Sequence, residues 1–162
     1  MLAANKVKSQ NIIELTYFCG LRISDIIALS WKNIVCDRGA YSLEIVKQKT
    51  KDPIYVPLSE QAMNWMPERG DKAAEDKIFA IPRVEYVNPG LAKWAERAGL
   101  KKRVTFHTAR HTFATMMLTL GADLYTVSKL LGHSDVKVTQ VYAKIVNQKK
   151  NDAVNLVNSV FA

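Results

Sequence analysis

Between residues 41 and 58 the hydrophobic rhythm of the chain changes from helical to period two, and that change narrows the folds open to it. Tyr41, Leu43 and Ile45 alternate with Ser42, Glu44 and Val46, and Ile54, Val56 and Leu58 alternate again after the polar stretch 48–52. Successive strand side chains point to opposite faces, so each run buries one face and wets the other. The pair predicts a β-hairpin. A further strand near Ile34 and Val35, reached through the turn Asp37-Arg38-Gly39, would complete a small antiparallel sheet.

The remainder reads as helix. Residues 9–19 place Ile12, Ile13, Leu15, Tyr17 and Phe18 in a largely apolar helix that Gly20 should close. Ser24 is expected to cap a short second helix, with Asp25 in its first turn and Ile26, Ile27 and Leu29 facing inward up to Trp31. Ser59 should cap a helix through Trp65. Asn88-Pro89 should open another, with Leu91, Trp94, Ala95 and Ala98 on one side and Gly99 at its end. Further helices are predicted at about 106–120, at 124–131 behind Asp123, and at 135–145 behind Ser134. An apolar tail carrying Val154, Leu156, Val157, Val160 and Phe161 is expected to be helical too. The fold class this implies is mainly α with a small antiparallel β-sheet (α+β).

Composition sets the outer bounds. With 162 residues, 48% hydrophobic and 23% charged, the chain has enough apolar side chains for one globular domain, 1–162, and too many for a disordered or collagen-like one. Residues 66–76 are polar but too short for an interdomain linker. No apolar run reaches the length of a membrane span or a signal peptide, so a soluble, cytoplasmic protein with no membrane partner is expected. Cys19 and Cys36 are the only cysteines and form no Cys-x-x-Cys, which points to two buried, reduced thiols rather than a disulfide or zinc framework. Lys and Arg outnumber Asp and Glu by 23 to 15, a formal charge of +8, and this excess favours a polyanionic partner such as nucleic acid.

Single motifs remain ambiguous. His107 and His111 stand four apart, as two zinc ligands would, but no Glu follows His107 and no third ligand is in view, so no metal is expected. A helix, a Gly132-His133 turn and a second helix could form a helix-turn-helix reader of a major groove. Neither paired carboxylates nor a phosphate-cradling glycine loop occurs, which leaves two-metal phosphoryl transfer and nucleotide hydrolysis without support.

Taken together, however, His107-Thr108-Ala109-Arg110, Leu131-Gly132-His133 and Tyr142 nine residues further on resemble the catalytic domain of tyrosine recombinases, the phage-type and conjugative-transposon integrases. Gly20-Leu21-Arg22-Ile23-Ser24-Asp25 is similar to that family's first arginine motif. Lys49, eight residues before Pro57, is similar to its hairpin lysine, and the resemblance runs from residue 9 to residue 145. It implies the tyrosine recombinase catalytic-domain fold and site-specific breaking and rejoining of DNA through a 3′-phosphotyrosine intermediate, with no cofactor and no metal. Tyr142 would be the nucleophile and Lys49 the general acid; the flanking Lys47 and Lys51 could substitute for Lys49 or touch DNA phosphates. Arg22 and Arg110 would clamp the scissile phosphate, His107 would assist proton transfer from the tyrosine, and His133 would donate to a non-bridging oxygen. Asp25 would act as a supporting or capping group and His111 would be structural.

The resemblance also implies double-stranded DNA as partner, a homotetramer on DNA in the full-length protein, and a nucleoid-associated location. Residues from about 147 to 162, with Val157 and Phe161, would dock on a neighbouring protomer. An upstream DNA-binding domain would be absent from this chain. A type IB topoisomerase-like activity, a helix-turn-helix module without catalysis, and an inactive integrase remnant are the alternatives.

Overall fold

The computed structural model describes residues 2–46, 53–81, 85, 88–142, 150, 154, 155 and 157. The chain divides into two compact units, Met1–Phe113 and Ala114–Ala162. Helix α1 (Leu2–Cys19) is the element around which the first is built. It packs against α2 (Ile23–Ala28), α3 (Glu60–Met63), α4 (Asn88–Arg97) and strand β3 (Pro53–Leu58). Ile12, Ile13 and Leu15 are buried, and buried Thr16 returns its hydroxyl to the Ile12 carbonyl at 2.8 Å, so the polar group on that face is satisfied. The helix begins well before Ser9. Residues 2–8 lack an apolar period but are rich in Ala, Leu and Lys, which favour helix intrinsically.

Ser24 does not cap α2. Arg22 holds the N-cap position with extended backbone (φ −70°, ψ 148°), because its carbonyl accepts the N–H of Asp25 and of Ile26, both at 3.0 Å. Asp25 lies in the first turn and Ile26 is buried, as the pattern predicts.

The sheet is the three-stranded antiparallel array expected, in the order β1-β2-β3, with β1 spanning Ile34–Asp37 and β2 spanning Ala40–Val46. Asp37 pairs with Ala40, leaving Arg38 (φ 50°) and Gly39 (φ 83°) as a two-residue turn with the positive φ values that match strand twist. Register pairs Leu43 with Val56 and Ile45 with Ile54, all buried on one face. Pro57, lacking an N–H, sits on β3 at the edge of this sheet, where a ladder donor is dispensable. Cys36, expected to be buried, is exposed because the end of the edge strand β1 is open; Cys19 is buried.

Ser59 caps α3 by accepting the Ala62 N–H at 3.2 Å, but the helix ends at Met63, four residues before Pro67 begins to exclude helical geometry. The polar stretch that follows is tied down rather than loose. Trp31 donates its N–H to Asp76, Lys32 to Ala74, and Ile78 to Leu29. In α4, Leu91 and Ala95 are buried as expected whereas Ala98 is exposed. Gly99 and Leu100 close the helix by donating to Glu96 and Ala95.

Helix α5 (Phe106–Thr119) runs from the first unit into the second, which continues with α6 (Leu124–Leu130). Asp123 caps α6, accepting from the Thr126 N–H at 2.9 Å and hydroxyl at 2.6 Å; these bonds hold its carboxyl below the usual carboxylate range. Of the predicted helix 135–145, Val136–Tyr142 is a 3₁₀ segment, started by Asp135 rather than Ser134: the Asp135 carboxylate accepts the Lys137 N–H at 2.8 Å; 143–145 lie outside the described residues. It packs against α6. In the tail, Val154, Asn155 and Val157 are helical, and the two valines are exposed. Leu156, Val160 and Phe161 lie outside the described residues. Among the described residues no helix is long and apolar enough to cross a membrane.

Candidate active site

In the first unit the site is assembled where α1 ends. Gly20 adopts φ 68° and donates its N–H to the Thr16 carbonyl at 2.9 Å, so the chain turns sharply between Cys19 and Leu21. Two residues later Arg22 projects from the N-cap of α2 with an exposed side chain. The Gly20 carbonyl, left outside the helix, accepts a hydrogen bond from Nη1 of Arg110 at 2.5 Å. Residues far apart in sequence, from the two arginine motifs, are therefore joined directly. Phe113, one helical turn beyond Arg110, lies against the same glycine: a Cβ at position 20 would stand 2.4 Å from its Cδ1.

The two arginines differ in setting. Arg22 is exposed, whereas Arg110 is only 8% exposed, its guanidinium oriented from behind by a backbone carbonyl. Burial pushes the neighbouring Cys19 thiol up to about 12, against opposing pulls from the Leu21 backbone and the Arg110 charge. Cys19 is thus a neutral packing residue.

His107 is exposed in the first turn of α5, three residues before Arg110. The turn is held by Thr105 and Thr108, each accepting the other's backbone N–H through its hydroxyl, at 3.2 and 3.1 Å. This is a reciprocal cap with threonine in place of the usual Glu or Gln. His111 is exposed one turn further along. Among the described residues no group of three or more His, Cys, Asp or Glu could hold a metal ion. Lys49, with Lys47 and Lys51, falls in the connection between Val46 and Pro53 and lies outside the described residues.

In the second unit α6 delivers His133. Gly132 donates its N–H to Lys129 at 2.8 Å and His133 to Ser128 at 3.0 Å, which anchors the histidine backbone to the last turn of the helix. The His133 Nδ1 lies 2.9 Å from the Thr139 hydroxyl. Thr139 is fully buried and stands three residues before Tyr142, which is 7% exposed. In a 3₁₀ segment residues three apart share a face, so Thr139 and Tyr142 lie together, whereas Val138 and Val141 form an exposed face. Thr139 is a residue the sequence did not flag: a threonine six positions after His133 belongs to no motif and is visible only once the 3₁₀ turn is seen.

The phage integrase family model matches residues 1–149. The chain is 35% identical over 152 residues to a tyrosine recombinase of Pseudothermotoga lettingae, covering 89% of this chain and 52% of that protein. It is 31% identical over 159 residues to the tyrosine recombinase XerD of Pseudomonas aeruginosa, covering 90% and 52%. The chain thus spans about half the length of these relatives. Among solved structures, the XerH site-specific recombinase in its post-cleavage complex with a palindromic difH substrate superposes with a TM-score of 0.74 at 21% identity, over 94% of this chain and 46% of that one. The catalytic domain of bacteriophage HP1 integrase gives 0.67 at 22% identity, over 90% and 79%. The glycine-linked arginine motifs, the histidine after α6 and the tyrosine that follows it stand on a fold shared with these enzymes, and the chain belongs to the phage integrase family of tyrosine recombinases.

Proposed function

We propose that the chain is the strand-breaking and rejoining domain of a site-specific recombinase acting on double-stranded DNA. A phosphodiester resists nucleophiles because its anionic oxygens repel them, so cleavage needs fixed cationic donors where charge builds up. Arg22 and Arg110 present two planar forks for that purpose, and the single observation that carries the reading is the Arg110–Gly20 hydrogen bond that joins the two arginine motifs. Tyr142 Oη attacks phosphorus and forms the new P–O bond as the P–O5′ bond breaks. Its phenolic proton leaves with help from His107, and Lys49 protonates the departing 5′ oxygen. Bond energy is retained in the 3′-phosphotyrosine ester, and attack by a 5′ hydroxyl reverses the step.

Thr139 supports the role of His133. The contact is open in direction; the arrangement in which the Thr139 hydroxyl donates to Nδ1 leaves the neutral imidazole's proton on Nε2, the tautomer that can donate to a non-bridging phosphate oxygen. Lys47 and Lys51 take flanking phosphates. The full-length protein works as a tetramer on two duplexes, associated with the nucleoid, and residues from about 147 dock on a neighbouring protomer. A helix-turn-helix reader is disfavoured because the segment after Gly132-His133 is a 3₁₀ turn and not a recognition helix.

The test uses nicked duplexes from the ends of the source element, incubated in EDTA with the wild-type chain and with Tyr142→Phe and resolved on a denaturing gel. A covalent protein–DNA band with the wild type alone supports the reading. An equal band with Tyr142→Phe would remove the nucleophile assignment, and duplex binding with no band from either chain or full-length protein would remove the chemistry.

A further inference from the structure

The short connection between α4 and α5 carries Lys101, Lys102 and Arg103 in succession, all exposed, and no carboxylate among the described residues engages them. Its two ends are rigid. Leu100 is bonded back to Ala95 at the close of α4, and Thr105 is locked to Thr108 at the opening of α5. Three cations therefore lie between two anchored helix ends, four to six residues before His107.

The same loop walls a cavity of about 1130 Å³ whose lining also includes Ile23, next to Arg22, and His107. One open depression within the first unit thus runs from the three cations to the neighbours of two proposed phosphate ligands. Glu85 and Glu96 also line it, and their carboxylates oppose an anion there, so three loop cations face two acidic groups across the lining.

We propose that Lys101, Lys102 and Arg103 form a backbone clamp that takes DNA phosphates adjacent to the scissile one. The proposal rests on the reading that the site acts on duplex DNA. The clamp carries no base information; it sets the register of the strand so that the scissile phosphate lies at Arg22, His107 and Arg110.

The experiment measures binding of this chain to a duplex as a function of salt, for wild type, for Lys101→Gln/Lys102→Gln/Arg103→Gln, and for an equally charged control, Arg38→Gln/Arg69→Gln/Lys72→Gln. Each phosphate contact contributes about 0.9 to the log–log salt slope, so a clamp making two contacts predicts a slope shallower by about 2 and, at 0.1 M salt, affinity lower by tenfold or more. The control should keep most of the wild-type slope, and the circular dichroism of both variants should match wild type because the substituted residues are exposed. An unchanged slope in the loop variant, or an equal loss in the control, overturns the clamp while leaving the DNA reading intact. A wild-type chain and full-length protein that both fail to bind duplex would overturn the DNA reading and the clamp with it.

Discussion

Gly20 and Gly99 offer a matched pair, because both adopt φ 68° and both follow a helix, yet only one has something beside it. At Gly99 nothing among the described residues lies within 4 Å of the point where a Cβ would stand, so Gly99→Ala meets only the left-handed backbone penalty. That penalty is about 1–2 kcal/mol, partly offset by the lower entropy of the unfolded alanine chain, for a net of roughly 1 kcal/mol. At Gly20 the same penalty is joined by a Cβ 2.4 Å from Phe113 Cδ1 and 2.6 Å from Cε1, on a ring that is 4% exposed. Overpacking of this kind costs typically about 1–3 kcal/mol, so Gly20→Ala should cost about 2–4 kcal/mol in all. Urea unfolding followed by circular dichroism gives both values from the shift in midpoint at constant slope. The Gly20 variant should also form the tyrosine–DNA adduct more slowly than Gly99→Ala, because displacing Phe113 moves the carbonyl that orients Arg110. If the two variants lose the same stability within about 0.5 kcal/mol, α5 is not seated on Gly20 as described, and the argument for a glycine-set Arg110 fails with it.

Arg22 is exposed and makes no side-chain cap, so Arg22→Ala should leave thermal stability nearly unchanged while slowing adduct formation by about 10²–10³-fold; a large loss of stability would mark it as structural. Thr139→Val preserves the buried shape but removes the hydroxyl at His133 Nδ1, and the adduct rate should drop roughly 10–100-fold, with Thr139→Ser restoring most of it. A valine variant as fast as wild type would show that the bond is incidental. A thiol reagent at pH 8 should react quickly with Cys36 alone: Cys19, pushed up to about 12, is roughly 10⁻⁴ thiolate there and is also inaccessible. Two fast equivalents from the native protein would contradict the burial of Cys19.

Much of the fold was legible because it depends on periodicity. Alternating residues within 41–58 can bury one face only as strands, and Asp123, Gly20 and Gly99 mark helix ends through local backbone chemistry that needs no tertiary partner. Boundaries set by weaker forces were not legible. The start of α1 came from helix propensity without an apolar period, and the N-cap of α2 fell on Arg22 because the turn at Gly20 had already directed its carbonyl at Asp25 and Ile26. The 3₁₀ form of Val136–Tyr142 was also hidden, since valines at 136, 138 and 141 suit either helical period.

For the site, sequence alone determined the chemistry available: two arginines, two histidines and a tyrosine in an order whose motifs match a known family. Residue type and spacing fix which groups can donate, accept or attack. Only the tertiary structure decided how those groups are held. It placed the Gly20 carbonyl on Arg110 and Thr139 on the His133 ring, and it left Arg22 exposed while burying Arg110. Such orientations depend on contacts between residues distant in the chain, and no local pattern encodes a distance across a fold.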